Sequence, residues 1–261
     1  MLSLLSPPSL RSVFPIVGVL TTMLVGWSSC QNYLESERLR RFLATSQTAS
    51  HATSPNTSSI AHDTPSTFST TDTVPVITHY ATIRTSIGTI ILGLYGIDAP
   101  QTVENFVKLA EKKFFRGILF HRVARNFVIQ TGDPKTKDKR KKDEWGTGGE
   151  SAFGEPFPDE IVPDAPSVKR GYRRGTVAMA TRSPDANTSQ FFICLRDIPE
   201  LPLQFTIFGE VVKGWEIVEK IAAGEITPQL NENDGRPIKP VAITRVTVVK
   251  LRTSAPQTHS F

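Results

Sequence analysis

Apolar residues cluster in short β-branched and aromatic runs at both ends of the C-terminal two-thirds of the chain. Tyr80-Ala-Thr-Ile-Arg-Thr and Gly88-Thr-Ile-Ile-Leu-Gly-Leu-Tyr95 are rich in β-branched and aromatic residues, and Ser86-Ile87-Gly88 lies between them. This pattern predicts a β-hairpin. The spacing then changes. Val103, Phe106, Val107 and Ala110 recur at helical intervals after Asp98-Ala-Pro-Gln. They predict an amphipathic helix with Asp98 as its cap, Pro100 in its first turn and Gln101 bonding back. A second helix is predicted over Trp215–Ala222, with Trp215, Val218 and Ile221 on one side. Val241-Ala-Ile-Thr-Arg-Val-Thr-Val-Val249 closes the pattern as a strand. Many short strands with two helices far apart in sequence suggest a β-barrel with helical covers and not a βαβ repeat.

The N-terminal third reads differently. Residues 13–27 carry no charge, Arg11 precedes them, and Ser28-Ser29-Cys30 follows. Basic, apolar and small-residue regions in that order match a secretory signal peptide. The same stretch, 1–30, also fits a lipoprotein leader ending at Cys30 or a membrane anchor. It gives the protein an expected site at a membrane or outside the cytoplasm. Arg38, Arg40 and Arg41 after the apolar run would hold the main domain of an uncleaved anchor on the cytoplasmic side. Residues 31–77 become dominated by Ser, Thr, Pro and Ala from residue 45 onward. Such a segment buries too little surface to offset chain entropy and reads as a flexible linker. The folded domain is expected over residues 78–252, with a flexible tail over 253–261.

Composition narrows the function classes. The 261 residues have an ordinary hydrophobic content of 39% and a net charge of +5, which does not argue for nucleic acid. Two cysteines, Cys30 and Cys194, make neither a disulfide scaffold nor a zinc site, and Cys194 reads as a small core residue. The five histidines show no ligand spacing, so no metal is expected and His121 reads as structural. Gly146-Thr-Gly-Gly-Glu-Ser151 lacks the third glycine of a dinucleotide fingerprint and reads as a tight loop. Lys135-Thr-Lys-Asp-Lys-Arg-Lys-Lys142 reads as a solvated basic insertion.

One stretch carries chemistry. Phe120-His-Arg-Val-Ala-Arg-Asn-Phe-Val-Ile-Gln-Thr-Gly-Asp133 sets a permanent cation, Arg122, beside an apolar run and an amide, Gln130. Met179-Ala-Thr-Arg-Ser-Pro-Asp-Ala-Asn-Thr-Ser-Gln-Phe-Phe-Ile193 is its counterpart. A fixed cation next to an apolar slot suits an apolar substrate that loses charge delocalisation in its transition state, as a prolyl peptide bond does.

These segments resemble the cyclophilin family of peptidyl-prolyl cis-trans isomerases. Ala99-Pro-Gln-Thr-Val-Glu-Asn-Phe106, the Gly146 block and Phe208-Gly-Glu-Val-Val-Lys-Gly214 extend the resemblance in the family's order over residues 79–251. The resemblance implies a mainly β fold: a closed eight-stranded antiparallel barrel capped by two α-helices. It implies an isomerase of X-Pro bonds that assists protein folding, acting as a monomer on proline-containing peptides and folding clients without a cofactor. Arg122, Gln130 and Phe192 fall on the family's catalytic positions. Phe127, Val128, Leu201 and Phe205 fall on the proline pocket, and Ala180 and Thr181 on positions that pair with substrate backbone. Arg182 stands where a small residue often borders the neighbouring pocket. Glu200 stands where many eukaryotic members carry tryptophan, and Phe205 where those members carry histidine. A binding module without turnover would have no need of Arg122. A nuclear protein using the basic loop as an address conflicts with the apolar N-terminus.

Overall fold

The computed structural model describes residues 74–251. The leader, the linker up to residue 73 and the tail from residue 252 lie outside the described residues, as does Cys30. Among the described residues no helix is long and apolar enough to cross a membrane.

The predicted hairpin is β1 (His79–Thr85) and β2 (Thr89–Leu94), turned by Thr85 N–H donating to Gly88 O at 2.8 Å. After α1 (Pro100–Glu111) come β3 (Arg122–Ala124), β4 (Val128–Thr131), a short α2 (Pro166–Arg170), β5 (Thr176–Met179), β6 (Phe191–Cys194) and β7 (Ile207–Lys213). The chain ends with α3 (Trp215–Ala222), β8 (Ile226–Asn231), β9 (Asp234–Pro237) and β10 (Ile243–Lys250). Gly214 precedes α3 at φ 89°, a conformation that favours glycine. A Cβ there would also stand 2.2 Å from Thr89 O.

All strands pair antiparallel in one ten-stranded sheet of order β10-β1-β2-β7-β5-β6-β4-β3-β9-β8. The closed eight-stranded barrel expected from the resemblance is corrected in two respects. The β8–β9 hairpin adds two strands, and the ladder has two ends, so the sheet is not closed into a barrel. The approach to closure is a single bridge, Leu119 to Ala242, with Phe120 N–H donating to Val241 O at 2.9 Å.

Period two separates two faces. Val123, Ile129, Val177, Met179, Phe191 and Ile193 join the core. There Phe191 meets Phe106 of α1 edge-on at 5.7 Å, and Phe208 lies 5.8 Å from Phe106. Their strand neighbours Arg122, Val128, Gln130 and Phe192 take the opposite face. Helix α1 buries Val103, Phe106, Leu109 and Ala110 against the sheet, as its periodicity requires. Its cap differs from expectation. Asp98 accepts from Ser167 N–H at 2.8 Å instead of capping. The carboxylate of Glu160, far along the chain, accepts from Gln101 N–H at 2.9 Å, Thr102 N–H at 2.8 Å and the Thr102 hydroxyl at 2.7 Å. One carboxylate thus satisfies two orphan amides and complements the positive end of the helix.

Candidate active site

The registers of β3, β4 and β6 set three side chains in one transverse row. Arg122 is opposite Gln130, and Gln130 is opposite Phe192. Residues directly opposite each other in antiparallel strands share a face. Strand pairing therefore gathers the three residues singled out for catalysis.

The row is wired by hydrogen bonds. Arg122 Nη1 donates to Gln130 Oε1 at 3.2 Å, and Gln130 Nε2 donates to Gln190 Oε1 at 2.9 Å. Gln190 Nε2 donates in turn to Gly146 O at 3.1 Å and to Gly148 O. On its other side Arg122 is gripped by Asp234 of β9. Nε donates to Oδ1 at 2.9 Å and Nη2 to Oδ2 at 2.6 Å. This two-point pairing of planar groups fixes the direction of the guanidinium as well as its place. The Arg122 side chain keeps 20% exposure, while Asp234 keeps 8%, so the cation faces outward and its counter-ion lies beneath.

Aromatic and aliphatic side chains adjoin the row. Phe192 is buried and meets the half-buried ring of Phe205 edge-on at 5.6 Å. Tyr172 approaches Phe192 at 6.3 Å. The Tyr172 hydroxyl donates to Phe205 O at 2.9 Å and accepts from Phe205 N–H at 2.9 Å, so one phenol clamps that backbone twice. Val128 is buried on the face that carries Gln130, two residues along β4. Phe127 is half-buried at the entry to β4, with its carbonyl accepting from Leu195 N–H at 2.8 Å. Leu201 is buried in the turn before Phe205. Ala180 follows β5 half-buried, its N–H donating to Gln190 O at 2.9 Å. Next to it, the Thr181 hydroxyl donates to Ser183 O at 2.6 Å.

The glycine block is the tight loop its composition suggests. Buried Asp133 organises it, its Oδ2 accepting from Gly146 N–H at 2.6 Å and Gly148 N–H at 3.2 Å. A Cβ on Gly148 would stand 2.2 Å from Asp133 Oδ1, which only glycine avoids. His121 is buried beside the row, where burial outweighs the nearby Asp133 carboxylate and pulls it down to about 4. The ring is therefore neutral near pH 7. Cys194 is a free, buried thiol that burial pushes up to about 12, which makes it inert. Glu200 pairs with Arg196, whose Nη1 lies 3.3 Å from Glu200 Oε2. Among the described residues no group of three or more His, Cys, Asp or Glu could hold a metal ion.

Asp234, Gln190 and Tyr172 belong to this arrangement and were not singled out from the sequence. Gln190 alone had a signal, as the polar residue that breaks the apolar run before Phe191.

Comparison with known proteins agrees with this geometry. The family model described as cyclophilin type peptidyl-prolyl cis-trans isomerase/CLD matches residues 80–248. Peptidyl-prolyl cis-trans isomerase 10 of Caenorhabditis elegans is 37% identical over 167 residues, which cover 64% of this chain and 93% of that protein. A crystal structure of a Cryptosporidium parvum cyclophilin type peptidyl-prolyl cis-trans isomerase superposes with TM-score 0.56 at 28% identity. It covers 68% of this chain and 100% of that one. The structure of that enzyme in the presence of the dipeptide Ala-Pro gives TM-score 0.55 at 29% identity, over 66% and 99%. With the family model spanning nearly all of the described fold, the chain belongs to the cyclophilin-type peptidyl-prolyl cis-trans isomerases, and its reaction is the cis–trans isomerisation of X-Pro peptide bonds.

Proposed function

We propose that Arg122 is the catalytic group of this isomerase, that Gln130 holds the substrate backbone beside it, and that Phe192 heads the proline pocket. The observation that carries this reading is the row of Arg122, Gln130 and Phe192 across β3, β4 and β6. The peptide bond resists rotation by ~18–20 kcal/mol because the nitrogen lone pair is delocalised. For X-Pro the cis and trans forms differ by only ~0.5–1 kcal/mol, so the obstacle is kinetic. Twisting the bond localises the lone pair on the prolyl nitrogen. A donor aimed at that nitrogen stabilises the twisted state more than either planar state, which is the condition for catalysis. Arg122 meets it, because Asp234 and Gln130 leave its fork little freedom. Phe192, Phe205, Phe127, Val128 and Leu201 grip the prolyl ring and exclude water, which strengthens the cation's effect. Ala180 O and the Thr181 backbone receive the substrate strand. No nucleophile or acid–base pair takes part.

The sequence further supports a tethered or exported enzyme. The 1–30 segment would serve as signal peptide, lipoprotein leader or anchor, and 31–77 as its linker, so that the isomerase domain acts on exported or surface clients. Mass spectrometry of the native N-terminus, with membrane fractionation, tests this. A soluble, uncleaved, cytosolic protein would contradict it.

Steady-state kinetics on an X-Pro tetrapeptide test the site. Phe192→Ala is expected to lower kcat/KM at least tenfold, about 1.4 kcal/mol, mainly through KM. An unchanged KM in the folded variant would place the pocket elsewhere.

A further inference from the structure

The hydrogen-bond chain that begins at Arg122 does not end at Gln190. The Gly146 carbonyl that accepts from Gln190 also accepts from Arg182 Nη2 at 2.7 Å. Arg182 is exposed and forms no ion pair within the described residues. Its one bond to Gly146 leaves most of its five N–H donors for other acceptors. Beside Gly146 lies buried Trp145, with the Arg236 guanidinium 5.5 Å and Lys142 Nζ 6.0 Å from its ring. Lys139, Arg140, Lys141 and Lys142 are exposed on the 3₁₀ segment Lys139–Glu144 leading to it.

The local acids do not neutralise this rim. Asp138 is paired with Arg140 at 3.0 Å, Glu144 with Lys135 at 3.0 Å, and Asp143 lies in the field of Arg236. Lys139, Lys141, Lys142 and Arg182 are left without an ion pair among the described residues. The rim adjoins one side of the groove. A prolyl ring seated against Phe192 turns its nitrogen toward Arg122. The hydrogen-bond chain from Gln130 through Gln190 to Gly146 leads from this row to Arg182, and a substrate whose residues before proline lie along it reaches that cation. Resting on the reading of the Arg122 groove as the active site, the geometry points to a substrate preference: X-Pro segments with Asp or Glu in the few positions before the proline. Arg182 meets the nearest carboxylate as a planar fork, and the lysines draw the rest of the acidic stretch. A nucleic acid fits the rim less well, because its aromatic ring, Trp145, is buried and offers bases no stacking surface.

The test uses the full-length protein and three peptides. Each has an Ala-Ala-Pro-Phe core, preceded by Glu-Glu, Gln-Gln or Lys-Lys. At about 10 mM salt the Glu peptide is expected to exceed the Gln peptide about tenfold in kcat/KM, with the Lys peptide lowest. At about 1 M salt the three should converge to within about twofold. Arg182→Gln, and separately Lys139, Lys141 and Lys142 all changed to Gln, should each lower the Glu-to-Gln ratio at least about threefold. Equal rates on the Glu and Gln peptides at low salt, with turnover intact, would overturn the preference alone. So would a ratio that neither variant changes. A short oligothymidylate that binds with steep salt dependence, while the peptides turn over alike, would overturn it in favour of a nucleic-acid surface. Failure to turn over any of the peptides would overturn the active-site reading and the preference with it.

Discussion

The carboxylate of Asp234 holds the guanidinium of Arg122 at two points, Nε to Oδ1 at 2.9 Å and Nη2 to Oδ2 at 2.6 Å. Asp234 is the more buried partner, 8% exposed against 20% for Arg122. It fixes the direction in which Arg122 presents its guanidinium. The catalytic hydrogen bond proposed for Arg122 depends on that direction, because a donor aimed elsewhere does not follow the prolyl nitrogen as the bond twists.

Asp234→Ala should therefore act on turnover more than on binding. The expected change is a roughly tenfold fall in kcat, about 1.4 kcal/mol of transition-state stabilisation, with KM changed by less than about twofold. Asp234→Asn should retain part of the rate, since an amide oxygen still accepts one bond. An Asp234→Ala protein with normal kcat would show that the arginine is positioned without this carboxylate.

Tyr172→Phe should loosen the pocket wall. The hydroxyl that serves both Phe205 O and Phe205 N–H disappears, and the backbone amide loses its partner. A destabilisation of about 1–3 kcal/mol is expected in denaturant unfolding. It should come with a higher KM for proline peptides and little change in kcat. A stability loss without any KM change would separate Tyr172 from the pocket.

His121 should make the fold acid-sensitive. Burial lowers its folded value to about 4, below the ordinary 6.5. The unfolded chain binds the extra proton between those values, so the contribution is fully present above about pH 6.5 and is lost as pH falls toward about 4. Tm measured across that window should fall less steeply in His121→Phe than in the parent. Parallel curves would remove His121 as a cause.

The polar side chains of the site were legible because they interrupt short apolar runs. Arg122 and Gln130 stand out against Val123, Val128 and Ile129, and the hairpin register does the rest. Asp234 was not legible. It lies 112 residues from Arg122, in an Asp-Gly-Arg-Pro strand whose composition reads as a turn. Tyr172 was hidden likewise, between basic residues and glycines. The cap of α1 shows the same limit. Asp98 is the local candidate, but Glu160 takes the helix end by a long-range contact that no spacing announces. The closed barrel failed for a related reason. Local alternation marks strands, whereas closure depends on how the approach to β3 meets the start of β10, where one bridge and three backbone hydrogen bonds join them outside any strand ladder.

The most direct test of the account is kcat/KM for X-Pro isomerisation by the full chain, compared with Arg122→Ala and Arg122→Lys. The account predicts at least a tenfold loss in Arg122→Ala, about 1.4 kcal/mol, with circular dichroism and Tm near those of the parent. It predicts no rescue by lysine, whose ammonium cannot take the two-point grip of Asp234 and still face the substrate. A folded Arg122→Ala protein that isomerises at the parental rate would contradict it.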